Sequence, residues 1–220
     1  MRRYMKNNIQ AVIFDVDGLL IDSEPSWQKT YEEFLRKHNI TDKAALTEDR
    51  PGIGLKDFFT ELRERYHLAQ PLTVLLEEYR NMFYHNFLNP GTMRLLPGAK
   101  DLIVLLAGSQ LPLAIATGGH TKESMVKMLE TFHLQEYFPL IVSCDEVHRG
   151  KPHPDVFLIT AQKLQKQPEA CLVLEDSVNG VKAGKAAGML VYGVNKDEKI
   201  RKELTEAGAD EVFMSLVGIF

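Results

Sequence analysis

Near the start of the chain, an apolar run ends in two carboxylates and a glycine: Ala11-Val12-Ile13-Phe14-Asp15-Val16-Asp17-Gly18. A short continuous apolar run predicts a strand that is covered on both faces, and we place this strand at residues 9–14. Asp15 and Asp17 would then concentrate negative charge at the exit of a buried strand, where folding gains nothing from it. Such a cluster usually requires a cation, and a carboxylate held near a cation can act as a nucleophile.

Similar apolar runs recur along the chain and alternate with helical patterns. We predict further strands at 112–117, 140–144, 171–174, 190–194 and 211–213, and helices at 122–132, 155–164 and 178–187. Strands that alternate with helices indicate βαβ units and a parallel sheet. The pattern therefore predicts an α/β fold with a Rossmann-like parallel sheet core.

Residues 22–92 interrupt this alternation, because they contain only amphipathic helical patterns. Trp27, Tyr31 and Phe34, for example, fall at helical spacing on one face. We therefore predict an inserted all-helical cap domain at 22–92, which divides the α/β catalytic core into residues 1–21 and 93–220. Most aromatic side chains of the insert are expected to form its own core.

Composition limits the partners that this chain can bind. Its 220 residues carry a net charge of -4, so no basic face is expected for nucleic acid or an anionic membrane.

Cys144 and Cys171 show no metal-binding spacing and are expected to be buried, reduced thiols. The basic start is followed by no apolar signal core, and the longest aliphatic run is too short to span a bilayer. We expect a cytoplasmic monomer that binds neither nucleic acid nor a membrane.

Polar residues follow four of the predicted strands. The four strand ends carry Asp15-Val16-Asp17-Gly18, Thr117-Gly118-Gly119-His120, a loop that leads to Gly150-Lys151-Pro152, and Glu175-Asp176-Ser177. Each segment alone has an ordinary interpretation as a turn, a helix N-cap or a surface loop. Because the carboxyl ends of parallel strands meet at one edge of a sheet, their joint occurrence favours a common site.

The residue types at these strand ends suit a metal ion and a phosphate group. Asp15, Asp17 and Asp176 offer hard oxygen ligands of the kind that Mg²⁺ prefers. Lys151 could neutralise both a nucleophilic carboxylate and an incoming phosphate.

Neutral donors at the same strand ends could bind phosphate oxygens. The Thr117 hydroxyl and the backbone amides of Gly118 and Gly119 are candidates, and Gly18 is expected to contact substrate as well.

The two aspartates that begin the site could carry the chemistry. Asp15 would attack phosphorus, and Asp17 would protonate the leaving oxygen and then activate water. The sequence contains no P-loop, dinucleotide fingerprint, zinc-protease motif or nucleophile elbow that would compete with this interpretation.

In order and type, these four segments resemble the four motifs of the haloacid dehalogenase superfamily. The helical insert resembles the cap of the subfamily that contains β-phosphoglucomutase and small sugar phosphatases. The resemblance implies that Asp15 is the nucleophile and Asp17 the acid/base, with Mg²⁺ bound by Asp15, the Asp17 carbonyl and Asp176, and with Glu175 nearby. Asp17 argues against dehalogenase chemistry, because the dehalogenases of this superfamily lack a second aspartate at that position.

The residues from Asp15 to Trp27 resemble those of the bacterial hexitol and 2-deoxyglucose-6-phosphate phosphatases. β-Phosphoglucomutases carry a histidine where this chain has Trp27, and an arginine near Leu55, where only Lys56 is close. We therefore expect a Mg²⁺-dependent phosphatase whose partner is a small phosphorylated metabolite, a sugar or polyol phosphate, which it hydrolyses through an aspartyl-phosphate. A phosphohexomutase of the β-phosphoglucomutase type is the main alternative.

Five side chains are candidate contacts for the leaving group: Glu24, Trp27, Arg50, Lys56 and His120. Arg50 and Lys56 could equally be solvated surface charges. A catalytically silent binding module is a further alternative, although the intact set of catalytic residue types argues against it. A phosphonate hydrolase would need a cap lysine for a Schiff base, and Lys56 is the one weak candidate for that role.

Overall fold

The computed structural model of the protein describes residues 9–42, 55–89 and 93–219. The strands are β1 Ala11–Phe14, β2 Leu113–Thr117, β3 Leu140–Ser143, β4 Cys171–Glu175, β5 Leu190–Val194 and β6 Glu211–Phe213. The α-helices are α1 Glu24–Lys37, α2 Leu55–Arg65, α3 Leu72–Phe87, α4 Ala99–Gly108, α5 Lys122–Phe132, α6 Asp155–Lys163, α7 Val178–Ala186 and α8 Glu198–Glu206. The predicted elements therefore differ from the observed ones mainly by a residue or two at their ends.

The six strands form one parallel sheet in the order β3-β2-β1-β4-β5-β6. β1 lies in the middle, with Val12 opposite Leu113 on one side and Ala11 opposite Cys171 on the other. All four residues of β1 are fully buried, which explains why its sequence is apolar without alternation. The predicted fold class, an α/β parallel sheet with an inserted helical domain, is confirmed.

Polar residues at the strand ends also begin the helices that follow. Thr121 caps α5 by accepting a hydrogen bond from the Ser124 amide, and Ser177 caps α7 by accepting one from the Gly180 amide. Asp197 caps α8 in the same way. These caps satisfy backbone N–H groups that a helix start leaves without partners, so they hold the connections at the carboxyl edge of the sheet in place.

The chain divides into two compact units, one of Met1–Asp22 with Leu95–Phe220 and one of Ser23–Arg94. Within the α/β unit, Ile13, Val173 and Phe157 belong to a buried apolar cluster between sheet and helices. The helical unit has its own cluster, in which the rings of Phe34 and Phe59 meet edge to face at 5.0 Å between centroids. The predicted domain boundaries lie close to these limits, and the role of the helical unit as a cap stays a prediction.

The two cysteines differ in exposure. Cys171 is buried in β4, as expected, whereas Cys144 is only partly buried because it lies in the 3₁₀ turn after β3. Both are free thiols. Each helix in the described ranges falls short of the length or the apolar character that a bilayer-crossing segment needs.

Candidate active site

The centre of the site is an ion-pair network around Lys151. Its Nζ donates to Asp15 Oδ1 at 2.5 Å, to Glu175 Oε1 at 2.6 Å and to the Ala116 carbonyl at 3.2 Å. Asp15 follows β1, Glu175 ends β4, and Ala116 lies in β2, so the ammonium joins three neighbouring strands. The same ammonium lies 5.0 Å from the centre of the Phe157 ring. Burial alone would lower the pKa of Lys151, but Asp15 and Glu175 outweigh this effect and raise it above its ordinary value.

Glu175 is fully buried, and both of its carboxylate oxygens accept hydrogen bonds from the protein. Oε1 accepts from Lys151, while Oε2 accepts from the amides of Asp176 and Ser177, each at 2.9 Å, and from Ser177 Oγ at 3.0 Å. Gly180, in the first turn of α7, makes room for this carboxylate, since a Cβ there would lie 1.7 Å from Oε1. These contacts tie Glu175 to the turn and to Lys151, and the predicted role of Glu175 in metal binding stays a prediction.

Asp15, Glu175 and Asp176 form a carboxylate cluster whose ligand oxygens lie within 4.8 Å of one another. Gly18 reaches this cluster with its backbone, because a Cβ there would lie 2.0 Å from Asp176 Oδ2. The φ of Gly18 is 71°, a left-handed value that glycine adopts without strain. The asparagine at position 195 donates its side-chain amide to the Asp176 carbonyl at 3.2 Å. The cluster is therefore closely packed.

Electrostatics within this cluster are unfavourable unless a cation is bound. Burial, with repulsion from Glu175 and Asp17, raises the pKa of Asp15 to about 7 despite the opposing effect of Lys151. Burial also raises the pKa of Asp176 well above its ordinary value, and the neighbouring carboxylates add to this shift. One ammonium does not neutralise three carboxylates, so the donor set, which consists of hard oxygens in a confined space, fits Mg²⁺.

Asp17 is paired with a histidine. His120 Nε2 lies 2.9 Å from Asp17 Oδ1, and the histidine side chain is fully buried. Ser143 Oγ donates to the His120 carbonyl at 2.6 Å. The ring is enclosed and directed at Asp17, and the predicted contact of His120 with the leaving group stays a prediction. The Asp17 carboxylate does not belong to the three-residue cluster, and metal binding through its carbonyl stays a prediction.

The predicted phosphate donors lie at the end of β2. Thr117 is fully buried, and its Oγ1 has no hydrogen-bond partner within the described residues. Gly118 is exposed and Gly119 is partly buried. A buried hydroxyl without a partner at the carboxyl edge of a sheet is suited to donate to a ligand oxygen.

The predicted leaving-group contacts from the insert lie in the helical unit. Trp27 is partly buried and stacks on Phe83 at 3.7 Å between ring centroids, so its indole packs within that unit. Glu24 and Lys56 are exposed, and Arg50 lies outside the described residues. For these four residues, contact with substrate stays a prediction.

Two features of the site were not predicted from the sequence, namely the pairing of Asp17 with His120 and the contact of Asn195 with Asp176. Asn195 directly follows β5, so the rule of strand ends that located the other residues could have found it. No sequence signal marks the pairing of Asp17 with His120, because the ring direction depends on packing.

Comparison with known proteins agrees with this site. A family model described as haloacid dehalogenase-like hydrolase matches residues 12–194. The phosphorylated carbohydrates phosphatase of Thermotoga maritima is 30% identical over 215 residues, which cover 91% of this chain and 92% of that protein. Hexitol phosphatase B of Escherichia coli (strain K12) is 35% identical over 187 residues, which cover 82% of this chain and 81% of that protein.

A solved structure supports the same assignment at the level of the fold. CbbY from Rhodobacter sphaeroides, crystallised in complex with phosphate, superposes with a TM-score of 0.78 at 25% identity, over 96% of each chain. The chain belongs to the haloacid dehalogenase-like hydrolase family. The predicted enzyme class, a phosphomonoester hydrolase of this family, is confirmed at this level.

Proposed function

We propose that the protein is a Mg²⁺-dependent phosphatase that hydrolyses a sugar or polyol phosphate through an aspartyl-phosphate on Asp15. The observation that carries this proposal is the Lys151 ammonium, which Asp15 and Glu175 share at the edge of a confined carboxylate cluster. A buried carboxylate beside an ammonium, with further carboxylates a few ångströms away, is the arrangement that attack on a phosphate needs.

Asp15 and Asp176 are the side chains that would hold Mg²⁺, with the Asp17 carbonyl as a further expected ligand. Support comes from the raised pKa of both carboxyl groups, the close oxygen spacing and the absence of a Cβ at Gly18. When bound, the ion supplies charge neutralisation to the phosphate and to the attacking carboxylate.

Each protein group has a separate part in forming the intermediate. Lys151 and the Thr117 hydroxyl bind phosphate oxygens and orient the group for attack. A carboxylate oxygen of Asp15 then forms a bond to phosphorus. The bond to the leaving oxygen breaks with its electron pair on that oxygen, which takes a proton from Asp17.

In the second half of the reaction, water attacks the phosphorus of the aspartyl-phosphate. Asp17, which has lost its proton, accepts one from this water. The bond between Asp15 and phosphorus breaks, inorganic phosphate leaves, and both aspartates return to their starting states. The same two residues therefore serve both halves of the cycle.

The proposed substrate class rests on the relatives and on the helical unit. The two curated relatives are named for phosphorylated carbohydrates and hexitols. Trp27 packs on Phe83 and has no acid or base group. It therefore cannot replace the histidine of β-phosphoglucomutases, which helps to prevent hydrolysis of the phosphoenzyme until a sugar binds. This favours water over a sugar hydroxyl as the final acceptor.

The first experiment measures release of inorganic phosphate from p-nitrophenyl phosphate with and without Mg²⁺. We expect turnover only with Mg²⁺, and we expect Asp15→Asn to lower it by about four orders of magnitude or more, because the nucleophile is lost. Asp101→Asn, an exposed position in the first turn of α4, is the matched control and should retain activity. Full activity of Asp15→Asn would overturn the proposal.

A panel of hexitol, hexose and glycerol phosphates then addresses the substrate class. We expect at least one member of this panel to have a higher kcat/KM than p-nitrophenyl phosphate. If glucose 1-phosphate were isomerised faster than it is hydrolysed, the protein would be a mutase and the choice of water as acceptor would be wrong.

A further inference from the structure

We propose that His120 is a positioning residue, which holds Asp17 in the orientation needed to protonate the leaving group. This inference rests on the proposed function, in which Asp17 is the acid and base. The contact that carries it is the 2.9 Å distance between His120 Nε2 and Asp17 Oδ1. The histidine side chain is 0% exposed while that of Asp17 is 29% exposed, so an enclosed ring holds a carboxylate that is still accessible to a ligand.

The backbone that carries the ring is held by residues at the ends of two neighbouring strands. His120 follows the end of β2, and its carbonyl accepts a 2.6 Å hydrogen bond from Ser143 Oγ at the end of β3. Ser143 is itself held, because its amide donates to Glu146 Oε1 and its Oγ accepts from the Asp145 amide. This backbone support limits the movement of the imidazole, so its hydrogen bond defines where Asp17 lies.

The hydrogen bond divides the two oxygens of Asp17 between two tasks. In the tautomer that carries the proton on Nε2, His120 donates to Oδ1, which leaves Oδ2 to carry the transferred proton. In the first half of the reaction Oδ2 gives this proton to the leaving oxygen as its bond to phosphorus breaks. Loss of the ring would leave Asp17 chemically intact but able to rotate, which lowers the fraction of correctly oriented acid.

The dependence of rate on the leaving group separates this role from a merely structural one. p-Nitrophenolate departs as an anion and needs little help from an acid, whereas the alkoxide of a polyol needs a proton as it leaves. Because kcat/KM reports on phosphoenzyme formation, His120→Ala should lower kcat/KM about 100-fold for sorbitol 6-phosphate but only about 3-fold for p-nitrophenyl phosphate. A loss of fold would lower both values by the same factor.

Conservative variants sharpen the test. In His120→Gln, the side-chain amide nitrogen can take the place of Nε2, so we expect the ratio of the two kcat/KM values to return to within about 5-fold of the wild-type ratio. His120→Asn is too short to reach Asp17 and should behave as His120→Ala. His133→Asn is the control, because His133 is exposed at the C-terminal end of α5 and asparagine tolerates its φ of 55°.

Crystal structures of the wild-type protein and of His120→Ala provide a readout that does not depend on activity. We expect Asp17 to leave its position in the variant. Equal losses for the two substrates in a His120→Ala protein that melts at the wild-type temperature, or an unmoved Asp17, would overturn the proposal. Failure of His120→Gln to restore the ratio when His120→Ala has changed it would also overturn the proposal. Failure of Asp15→Asn to abolish turnover would instead overturn the proposed function, so the two outcomes are distinguishable.

Discussion

The carboxyl group of Asp176 lowers the stability of the folded state when it is ionised and no cation is bound. Its carboxylate is confined beside Asp15 and Glu175, and burial followed by repulsion from these neighbours raises its pKa. Below the ordinary pKa of an aspartate, the folded and unfolded forms both carry the proton and this group does not affect stability. As pH rises above that value, the unfolded chain ionises first, so the folded state loses stability until the folded pKa is passed.

We therefore expect Asp176→Asn to melt several degrees above wild type in EDTA at pH 8, and the difference to shrink at pH 5. Mg²⁺ should raise the melting temperature of the wild type but not that of Asp176→Asn, because the added stability requires the ligand. Thermal denaturation followed by circular dichroism measures both effects. A variant that melts below the wild type in EDTA at pH 8 would contradict this account.

At the scale of helices and strands, α7 begins in the active site. Its cap, Ser177, accepts from the Gly180 amide at 3.1 Å and donates to Glu175 Oε2 at 3.0 Å. The cap of α8, Asp197, accepts from the Lys199 and Ile200 amides, which both belong to the first turn of α8 itself. Replacing each cap in turn therefore separates an effect on stability from an effect on catalysis.

We expect Ser177→Ala and Asp197→Ala each to lower the free energy of unfolding by about 1 kcal/mol. Only Ser177→Ala should also lower kcat, by about 10-fold, because Glu175 would lose one of the bonds that orient it toward Lys151. Urea unfolding and steady-state kinetics on both variants measure these effects. Equal kcat values in the two variants would show that the Ser177 hydroxyl serves only the helix.

Sequence reasoning could locate the elements of this site because strand ends follow from simple patterns. Apolar runs mark buried strands, and parallel strands bring their carboxyl ends to one edge, which places Asp15, Thr117 and Glu175 together. Side-chain directions do not follow from such patterns. The pairing of His120 with Asp17 depends on how Ser143 holds the backbone after β2, and this is a property of the packed sheet.

Lys151 illustrates the same limit. It lies in the loop that follows β3, so the strand-end rule brings its segment to the site but does not say which groups its ammonium contacts. Chemical need and resemblance to a family predicted its role, and in the structure its ammonium lies between two carboxylates.

At the scale of the whole molecule, the α/β unit and the helical unit each contain an apolar cluster of their own. The chain has a single tryptophan, Trp27, and it lies in the helical unit against Phe83. Tryptophan fluorescence therefore reports on the helical unit, while hydrogen exchange at β1 and β4 reports on the α/β unit.

We expect the two probes to give different midpoints in a urea titration, because two clusters permit separate unfolding. Mg²⁺ at about 100 times its Kd should stabilise β1 and β4 by about 2.7 kcal/mol and leave the fluorescence midpoint unchanged. Trp27→Phe is the control, which removes the signal and conserves an aromatic ring. Coincident midpoints that move together with Mg²⁺ would show that the units unfold as one.

The central place of β1 has a consequence for synthesis on the ribosome. This strand is translated well before its neighbours β2 and β4, and Lys151 follows Asp15 by 136 positions. A nascent chain therefore carries the proposed nucleophile long before it carries the ammonium and the remaining carboxylates. We expect growing polypeptides to be inert toward phosphate esters until the segment that contains Lys151 and Asp176 has been made.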